Sequence, residues 1–125
     1  MTPTIVDSTI LIDAIRDRDD AVQFLVRAAD RGPVWSSVAV RTEVLVGALP
    51  GESARLAAWF ERIEWRDVTI QIADLAAQLG APYRRSHRID AVDLIVAATA
   101  IELGGSVATL NVRDFPMFPG LQPPY

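Results

Sequence analysis

The sequence predicts an α/β/α sandwich, in which helices cover both faces of a central parallel β-sheet. Short apolar segments alternate along the chain with longer segments whose apolar residues recur at helical spacing. The short segments are apolar throughout rather than alternating in polarity, which is typical of strands buried on both faces. With 125 residues, of which 50% are hydrophobic, the chain has the size and the core material of one domain. We therefore expect residues 1–125 to form a single domain.

The first half of the sequence predicts two strands and three helices. PTIV is apolar and rich in β-branched residues, as expected of a buried strand that ends at Asp7. Ser8 and Thr9 follow and can cap a helix. Gly32 and Pro33 stop the second helix. In chain order the elements are a strand at 3–6, helices at 9–17 and 20–31, a strand at 34–37 and a helix at 38–48.

The second half begins after the loop GALPGES at 47–53. Gly80 and Pro82 end its second helix, and the last helix is apolar nearly all round, as expected of a buried one. Prolines make the C-terminal tail irregular. In chain order the elements are a helix at 53–62, a strand near 65–68, helices at 71–80 and 90–103, and a strand at 106–110.

The composition excludes several kinds of chemistry. All twelve basic residues are Arg, so a P-loop, a Schiff base and the lysine-containing acid pocket of a receiver domain are impossible. Without Cys there is neither a disulfide nor a thiolate metal site, and one histidine, His87, cannot form a multi-histidine zinc site. The net charge of −4 argues against a general nucleic-acid coat but allows a local arginine patch.

The hydropathy pattern predicts no membrane segment. No apolar run approaches the roughly 18 residues that a membrane-spanning helix needs. The N-terminal MTPTIVDST carries an acid where a secretory signal would have basic residues. We expect the protein to be cytoplasmic, without a membrane partner.

Four acidic residues lie in apolar segments or at the ends of elements: Asp7, Glu43, Asp93 and Asp114. Asp93 is the most informative, because the rest of its helix, DAVDLIVAATA, offers almost no polar face. Burying an unpaired carboxylate costs several kcal/mol or forces protonation, and the helix dipole offsets only about 0.3–1 kcal/mol. A metal ion or an arginine partner is therefore required.

Each of the other polar residues also has a simpler structural interpretation. Asp7 suits an N-cap, Glu43 an exposed helical position, and Asp114 a turn before Phe115-Pro116. Asp90 is interpreted as the N-cap of its helix or as a supporting residue of the site, since it shares a helix face with Asp93. Asn111 is a neutral oxygen donor that can ligate a cation or orient water.

A shared cation accounts for acids that come from separate segments. Two carboxylates about 4 Å apart repel by roughly 4 kcal/mol at an effective dielectric near 20, and a hard divalent ion removes that cost. All-oxygen ligation favours Mg²⁺ or Mn²⁺. Such a site supports hydrolysis of a phosphodiester.

The segment YRRSHR holds the densest group of positive charges in the sequence, formed by Arg84, Arg85 and Arg88. One interpretation is a solvated surface stretch. The other is a rim that binds phosphates, because arginine suits bidentate phosphate contacts. The tryptophans and phenylalanines are assigned to the core or an interface rather than to base stacking.

Four segments together resemble the PIN-domain ribonucleases, specifically the VapC-type toxins of bacterial toxin–antitoxin pairs: IVDSTILID, TEVLVGA, IDAVDLIVAATAIELG and TLNVRDFPMFPGL. The resemblance covers nearly the whole chain in the right order. It implies a PIN-like fold, Mg²⁺- or Mn²⁺-dependent endoribonuclease activity on structured RNA such as tRNA or rRNA, a homodimer, and a cognate antitoxin that joins the toxin in a hetero-oligomer.

By motif position the resemblance makes Asp7, Glu43 and Asp93 the metal-binding acids, with Thr9 orienting the first. Many relatives carry an acid where this chain has Asn111, and Asp114 lies one turn later, so the fourth ligand is left open between these two. The residues predicted to contact the RNA backbone are Arg84, Arg85, Arg88 and Arg113.

Two other functions remain open at this point. Asn111 motivates a degenerate PIN domain that binds RNA or a protein partner without cutting. Asp7 after the first strand motivates a phosphotransfer or phosphatase domain of related topology, although the absence of Lys and of an Asp at position 9 speaks against it.

Overall fold

The structure, a computed structural model, describes residues 2–125. This part of the chain contains four strands and six α-helices in the predicted order. They are β1 (Thr4–Val6), α1 (Ser8–Ile15), α2 (Asp19–Arg31), β2 (Val34–Ser37), α3 (Val38–Val46), α4 (Ser53–Arg62), β3 (Glu64–Arg66), α5 (Ile70–Gly80), α6 (Ala91–Leu103) and β4 (Ser106–Ala108). Two short 3₁₀ turns, Ala81–Tyr83 and Val112–Asp114, follow α5 and β4.

The strands form one parallel sheet in the order β3-β2-β1-β4. The chain runs outwards from β1 to β3 and then returns to add β4 on the free side of β1. Because crossovers between parallel strands are right-handed, this reversal sends α5 and α6 to the face opposite α1–α4. The predicted α/β/α sandwich is confirmed, and its topological switch point lies between β1 and β4.

The core lies between the sheet and the helices on each side. Ile5 and Val6 of β1 are fully buried, as are Ile10 and Leu11 of α1. Val96, Ala97 and Ala98 of α6 are also fully buried, in keeping with the apolar character of that helix. No helix within residues 2–125 is long and apolar enough to cross a bilayer.

The sequence offered Asp7, Ser8 and Thr9 as caps of α1, and the end of that helix differs from the prediction. The N-cap is Asp7, whose side chain accepts a hydrogen bond from the Thr9 N–H. The helix ends at Ile15 rather than at residue 17, since Asp17 adopts a left-handed backbone with φ of 63°. That conformation cannot continue a right-handed helix.

The last strand is also shorter than predicted. It ends at Ala108 instead of residue 110. Thr109 is fully buried and its hydroxyl accepts a hydrogen bond from the Asn111 N–H at 2.9 Å. The chain therefore leaves the sheet at Thr109, whose side chain is used for a hydrogen bond.

Candidate active site

Asp7 stands at the carboxyl end of β1, where the switch point opens. Its own N–H donates to the Ala108 carbonyl at 3.2 Å, which extends the β1–β4 pairing by one residue. Its side chain accepts from the N–H and the hydroxyl of Thr9 and from the hydroxyl of Thr109. Only 3% of Asp7 is exposed, so these three donors fix one rotamer of a nearly buried carboxylate.

Burial raises the pKa of Asp7, and the hydrogen bonds from Thr109 and Thr9 oppose that rise. The predicted contact between Thr9 and Asp7 is present. Thr9 also accepts a hydrogen bond from the Leu110 N–H at 3.2 Å, which ties the start of α1 to the segment after β4. Asp7 is thus the N-cap of α1, and its hydrogen bonds also hold the carboxylate in one orientation.

Thr109 was not singled out from the sequence. Its hydroxyl donates to Asp7 and accepts from the Asn111 N–H, so it links the first motif to the last. The signal was its position, since it is the first polar residue after the buried part of the fourth strand, as Asp7 is after the first. A threonine in SVATL is equally consistent with β-propensity, and that is why the pattern alone did not reveal it.

Removal of the Thr109 hydroxyl is expected to destabilise the protein. Thr109→Val leaves the buried Asp7 carboxylate without one donor, and the expected loss is about 1–3 kcal/mol in the free energy of unfolding. Urea unfolding without added metal measures it. Thr109→Ser keeps the hydroxyl and should cost less; equal stability of the Val variant and the wild type would show that the hydrogen bond is unimportant.

Asp93 lies in the first turn of α6 and is only partly exposed. Among the acids near Asp7, it has the largest pKa shift. Burial and then the charges of Asp114, Asp7, Glu43 and Asp90 raise its pKa from 3.8 to about 7. The charge of one carboxylate raises the pKa of another only when the two groups lie close together. Asp7, Glu43, Asp90 and Asp114 therefore lie near enough to Asp93 for their charges to raise its pKa.

Glu43 lies on α3, and the residue as a whole is exposed. Burial of its carboxyl group raises its pKa, as do the charges of Asp7 and Asp90, while a hydrogen bond from the Ser8 side chain lowers it. The predicted exposed helical position of Glu43 is confirmed, and its role in a metal site stays a prediction.

Asp90 occupies the N-cap position of α6 with an extended backbone, but its side chain makes no capping hydrogen bond. Asp90 is therefore the N-cap residue, as predicted, but it lacks the side-chain hydrogen bond that usually stabilises a cap. Asn111 occupies the equivalent position of the 3₁₀ turn, where its carbonyl accepts from the Asp114 N–H at 3.0 Å and its side chain also makes no cap. Neither side chain is used to cap the element that it precedes.

Within residues 2–125, no arginine forms an ion pair with the acidic cluster, which comprises Asp7, Glu43, Asp90, Asp93 and Asp114. The ion pairs found there join Arg16 to Glu52, Arg18 to Asp13 and Arg66 to Glu102. An arginine partner, one of the two that the sequence allowed for Asp93, is therefore not seen in the described part of the chain.

The donors of the acidic cluster fit a hard divalent ion. All are carboxylate oxygens, with the Asn111 amide as a neutral donor nearby, and neither sulfur nor imidazole is present among them. Across the described part of the chain, no three acidic or imidazole groups stand close enough to form a finished metal cage.

The four arginines predicted to contact RNA are all exposed. Arg84, Arg85 and Arg88 lie in the segment between α5 and α6, and Arg113 lies in the turn that carries Asp114. None of the four is among the ion-paired arginines of residues 2–125. Exposed guanidinium groups without an ion-pair partner suit contacts with phosphate.

The model of the PIN domain matches residues 4–118, and the chain belongs to this family. It is 43% identical over 97% of its length to Ribonuclease VapC19 of Mycobacterium tuberculosis, and covers 98% of that protein. It is 37% identical over 97% of its length to Ribonuclease VapC10 of the same organism, and covers 92% of it. The predicted family is confirmed.

Solved structures agree with the fold. The chain matches a toxin–antitoxin complex from Klebsiella pneumoniae with a TM-score of 0.78 and 27% identity, covering 98% of each chain. It matches VapBC2 from Rickettsia felis, bound to a DNA fragment from its promoter, with a TM-score of 0.82, 20% identity and 96% coverage of each chain. The second likeness supports the fold alone. Membership of the PIN family leaves the phosphotransfer alternative without support.

Proposed function

We propose that this chain is a metal-dependent endoribonuclease and the toxin of a toxin–antitoxin pair. The observation that carries the proposal is the acidic cluster at the switch point, which has no arginine partner and contains a carboxyl group with a pKa raised to about 7. Relatives named as VapC ribonucleases, one of them 43% identical over nearly the full length, support the reaction class.

Asp7 and Asp93 are proposed to hold one Mg²⁺ or Mn²⁺, directly or through water. Such an ion lowers the pKa of an attacking water and neutralises charge on the phosphoryl oxygens. The Thr9 and Thr109 hydroxyls keep Asp7 in a single orientation, so its contribution requires no rearrangement when substrate binds. Asp90 supports the site from the edge.

Glu43 is proposed to bind a water molecule or a second ion and to act as general base, accepting the proton of the attacking water at its carboxylate. A raised pKa suits this role, because a base works best when its pKa approaches the working pH. Asp114 and Asn111 share the position of fourth ligand. Asp114 carries the charge, and its effect on the pKa of Asp93 is the largest among the neighbouring acids.

The substrate is proposed to be a structured RNA such as tRNA or rRNA. Arg84, Arg85, Arg88 and Arg113 would contact its backbone, since each guanidinium can form two hydrogen bonds to one phosphate. A cytoplasmic location is part of this proposal, because RNA and a bacterial antitoxin are found there.

The partners are proposed to be a cognate antitoxin and a second copy of the chain. Solved complexes of toxin–antitoxin pairs support the first of these. Exposed apolar side chains offer surface for both: Leu45 is 50% exposed, Val46 82%, Leu49 54% and Ile70 76%. Apolar side chains grouped on a surface mark association sites more often than isolated ones do.

The direct test is cleavage of total cellular RNA by the purified protein. We expect discrete fragments with Mn²⁺ or Mg²⁺ and none with excess EDTA, because the carboxylates alone cannot activate water at neutral pH. Absence of cutting under all metal conditions would favour the PIN domain that binds without cleaving, and cutting in EDTA would contradict the metal site.

A further inference from the structure

A cavity of about 350 Å³ opens beside the acidic cluster, between the end of α5 and the start of α6. It is lined by Ala77, Gly80, Ala81, Tyr83, Arg84, His87, Ile89 and Leu94. The lining combines small and apolar residues with two aromatic rings and one guanidinium. Its size suits a small planar molecule rather than a peptide segment.

The two rings form a preorganised corner. Tyr83 and His87 meet edge to face, with centroids 5.4 Å apart and planes at 87°. The backbone holds them, because the His87 N–H donates to the Tyr83 carbonyl at 2.8 Å, and Ser86 Oγ lies 2.8 Å from His87 Nδ1. Since the planes are nearly perpendicular, a flat ring that stacks on one of them meets the edge of the other.

The wall of the cavity adjoins two of the acids in sequence. Ile89 and Leu94 in that wall are the sequence neighbours of Asp90 and Asp93. Consecutive Cα atoms are about 3.8 Å apart, so the backbone of the wall comes within one residue of the acidic cluster.

The size of the cavity depends on small residues of α5. A Cβ atom at Gly80 would lie 2.6 Å from Leu94 Cδ1, which shows how closely α5 approaches α6 at the cavity floor. Ala77, one turn earlier, is exposed and reaches the cavity wall with only a methyl group. A larger side chain at position 77 would therefore occupy the cavity rather than the core.

The charge around the cavity indicates the class of ligand. Arg84 lines it, and Arg85 and Arg88 flank it in sequence, all three exposed and outside the ion pairs of residues 2–125. The chain as a whole carries a net charge of −4. A basic rim around an apolar, aromatic recess matches a nucleotide, whose base is flat and apolar on its faces and whose phosphates are anionic.

We propose that this cavity binds one unpaired base of the RNA substrate next to the phosphate that is cut. The base stacks on Tyr83 or His87, while Arg84, Arg85 and Arg88 hold the flanking phosphates. The inference rests on the proposed ribonuclease function and deepens it. Because a paired base cannot enter the recess, cleavage is restricted to loops, bulges and single strands.

The test fills the cavity without changing charge. Ala77→Leu places a longer apolar side chain in the recess, and Ala73→Leu, one turn earlier on an exposed position of α5 outside the cavity lining, is the matched control. The probe is a short single-stranded RNA containing one mapped cleavage site, made as a series with an abasic nucleotide at each position in turn. Cleavage rates are measured with Mn²⁺ for each enzyme and RNA.

For the wild type and Ala73→Leu, one abasic position next to the cut should lower kcat/KM by roughly tenfold, the expected effect of one lost base stack. Ala77→Leu should lower kcat/KM on intact RNA by a similar factor and lose nothing further at that abasic position. Equal sensitivity of both variants to the abasic series, or faster cutting of duplex than of single-stranded RNA, would overturn the proposal.

Binding separates this inference from the ribonuclease proposal. Fluorescence anisotropy with the same labelled RNAs, in the presence of Ca²⁺, needs no cleavage. If the protein cuts no RNA, the abasic series is made on a short single-stranded RNA that the protein binds; should Ala77→Leu alone then weaken binding and remove the abasic effect, the base site stands and the nuclease proposal fails. If the wild type cuts RNA and binds the intact and abasic RNAs equally, the nuclease proposal stands and the base site is wrong.

Discussion

Asp93→Asn is expected to reduce RNA cleavage on the order of 10³-fold while leaving the metal-free protein as stable as the wild type or more so. The loss of activity follows from removing one proposed metal ligand, an effect comparable with the loss of a main electrostatic contributor in other active sites. The gain in stability follows from electrostatics, because the substitution removes a charge that Asp114, Asp7, Glu43 and Asp90 all repel.

The measurements are single-turnover cleavage with Mn²⁺ and thermal unfolding in EDTA. Asp74→Asn is the matched control, since Asp74 is exposed on α5 and lies outside the acidic cluster, so neither quantity should change. If the Asp93 variant instead melts several degrees lower in EDTA, the carboxylate is a structural partner and its assignment to the metal site is wrong.

Manganese is expected to stabilise the protein strongly, and more at about pH 8 than at about pH 6. A metal that binds only the folded state at a concentration about 100 times its Kd adds about 2.7 kcal/mol. For a domain of this size that corresponds to a rise in Tm of roughly 10 °C. At the lower pH, Asp93, with its pKa of about 7, is largely protonated and the ion must displace the proton.

The metal-free protein should show the opposite dependence on pH. Asp93 binds a proton more tightly when folded, with a pKa of about 7, than when unfolded, with a pKa of 3.8. Its stabilising contribution is complete below about pH 4 and is lost as the pH rises through about 7. Allowing for solvent screening of a partly exposed group, the loss is on the order of 1–2 kcal/mol.

Thermal unfolding with Mn²⁺ and with EDTA at a series of pH values measures both effects. In Asp93→Asn, the metal-free decline between about pH 4 and 7 should become shallower and the Mn²⁺ effect should shrink. A Tm that Mn²⁺ does not change at any pH would refute the metal site, whatever the outcome of the cleavage assays.

Much of the fold was predictable because its determinants are local. The spacing of apolar residues and the positions of turn residues predicted the order of strands and helices. The boundaries of β2 and α4 agree with the prediction. Two of the boundaries that differ are the ends of α1 and β4, where a residue adopts a left-handed backbone in the first case and a polar side chain forms a tertiary hydrogen bond in the second.

The candidate site was partly predictable for a similar reason. Asp93 lies in a helix without a polar face, so the cost of its burial could be inferred from the sequence before its neighbours were known. Thr109 carried no such signal, because a threonine near the end of a strand is ordinary until the strand order brings it to Asp7. Asp90 had a suitable capping position, yet its side chain makes no cap.

The sequence by itself determined the class of fold, the four candidate acids and the kinds of chemistry that are impossible here. Only the tertiary structure decided which of these acids influence the pKa of Asp93, and that no arginine of residues 2–125 forms an ion pair with them. The reason is physical. The spacing of apolar residues in a helix and the cost of burying a charge can be inferred from a few neighbouring residues. The distance between Asp7 and Thr109 instead depends on the pairing of β4 with β1, which are separated by almost the entire chain.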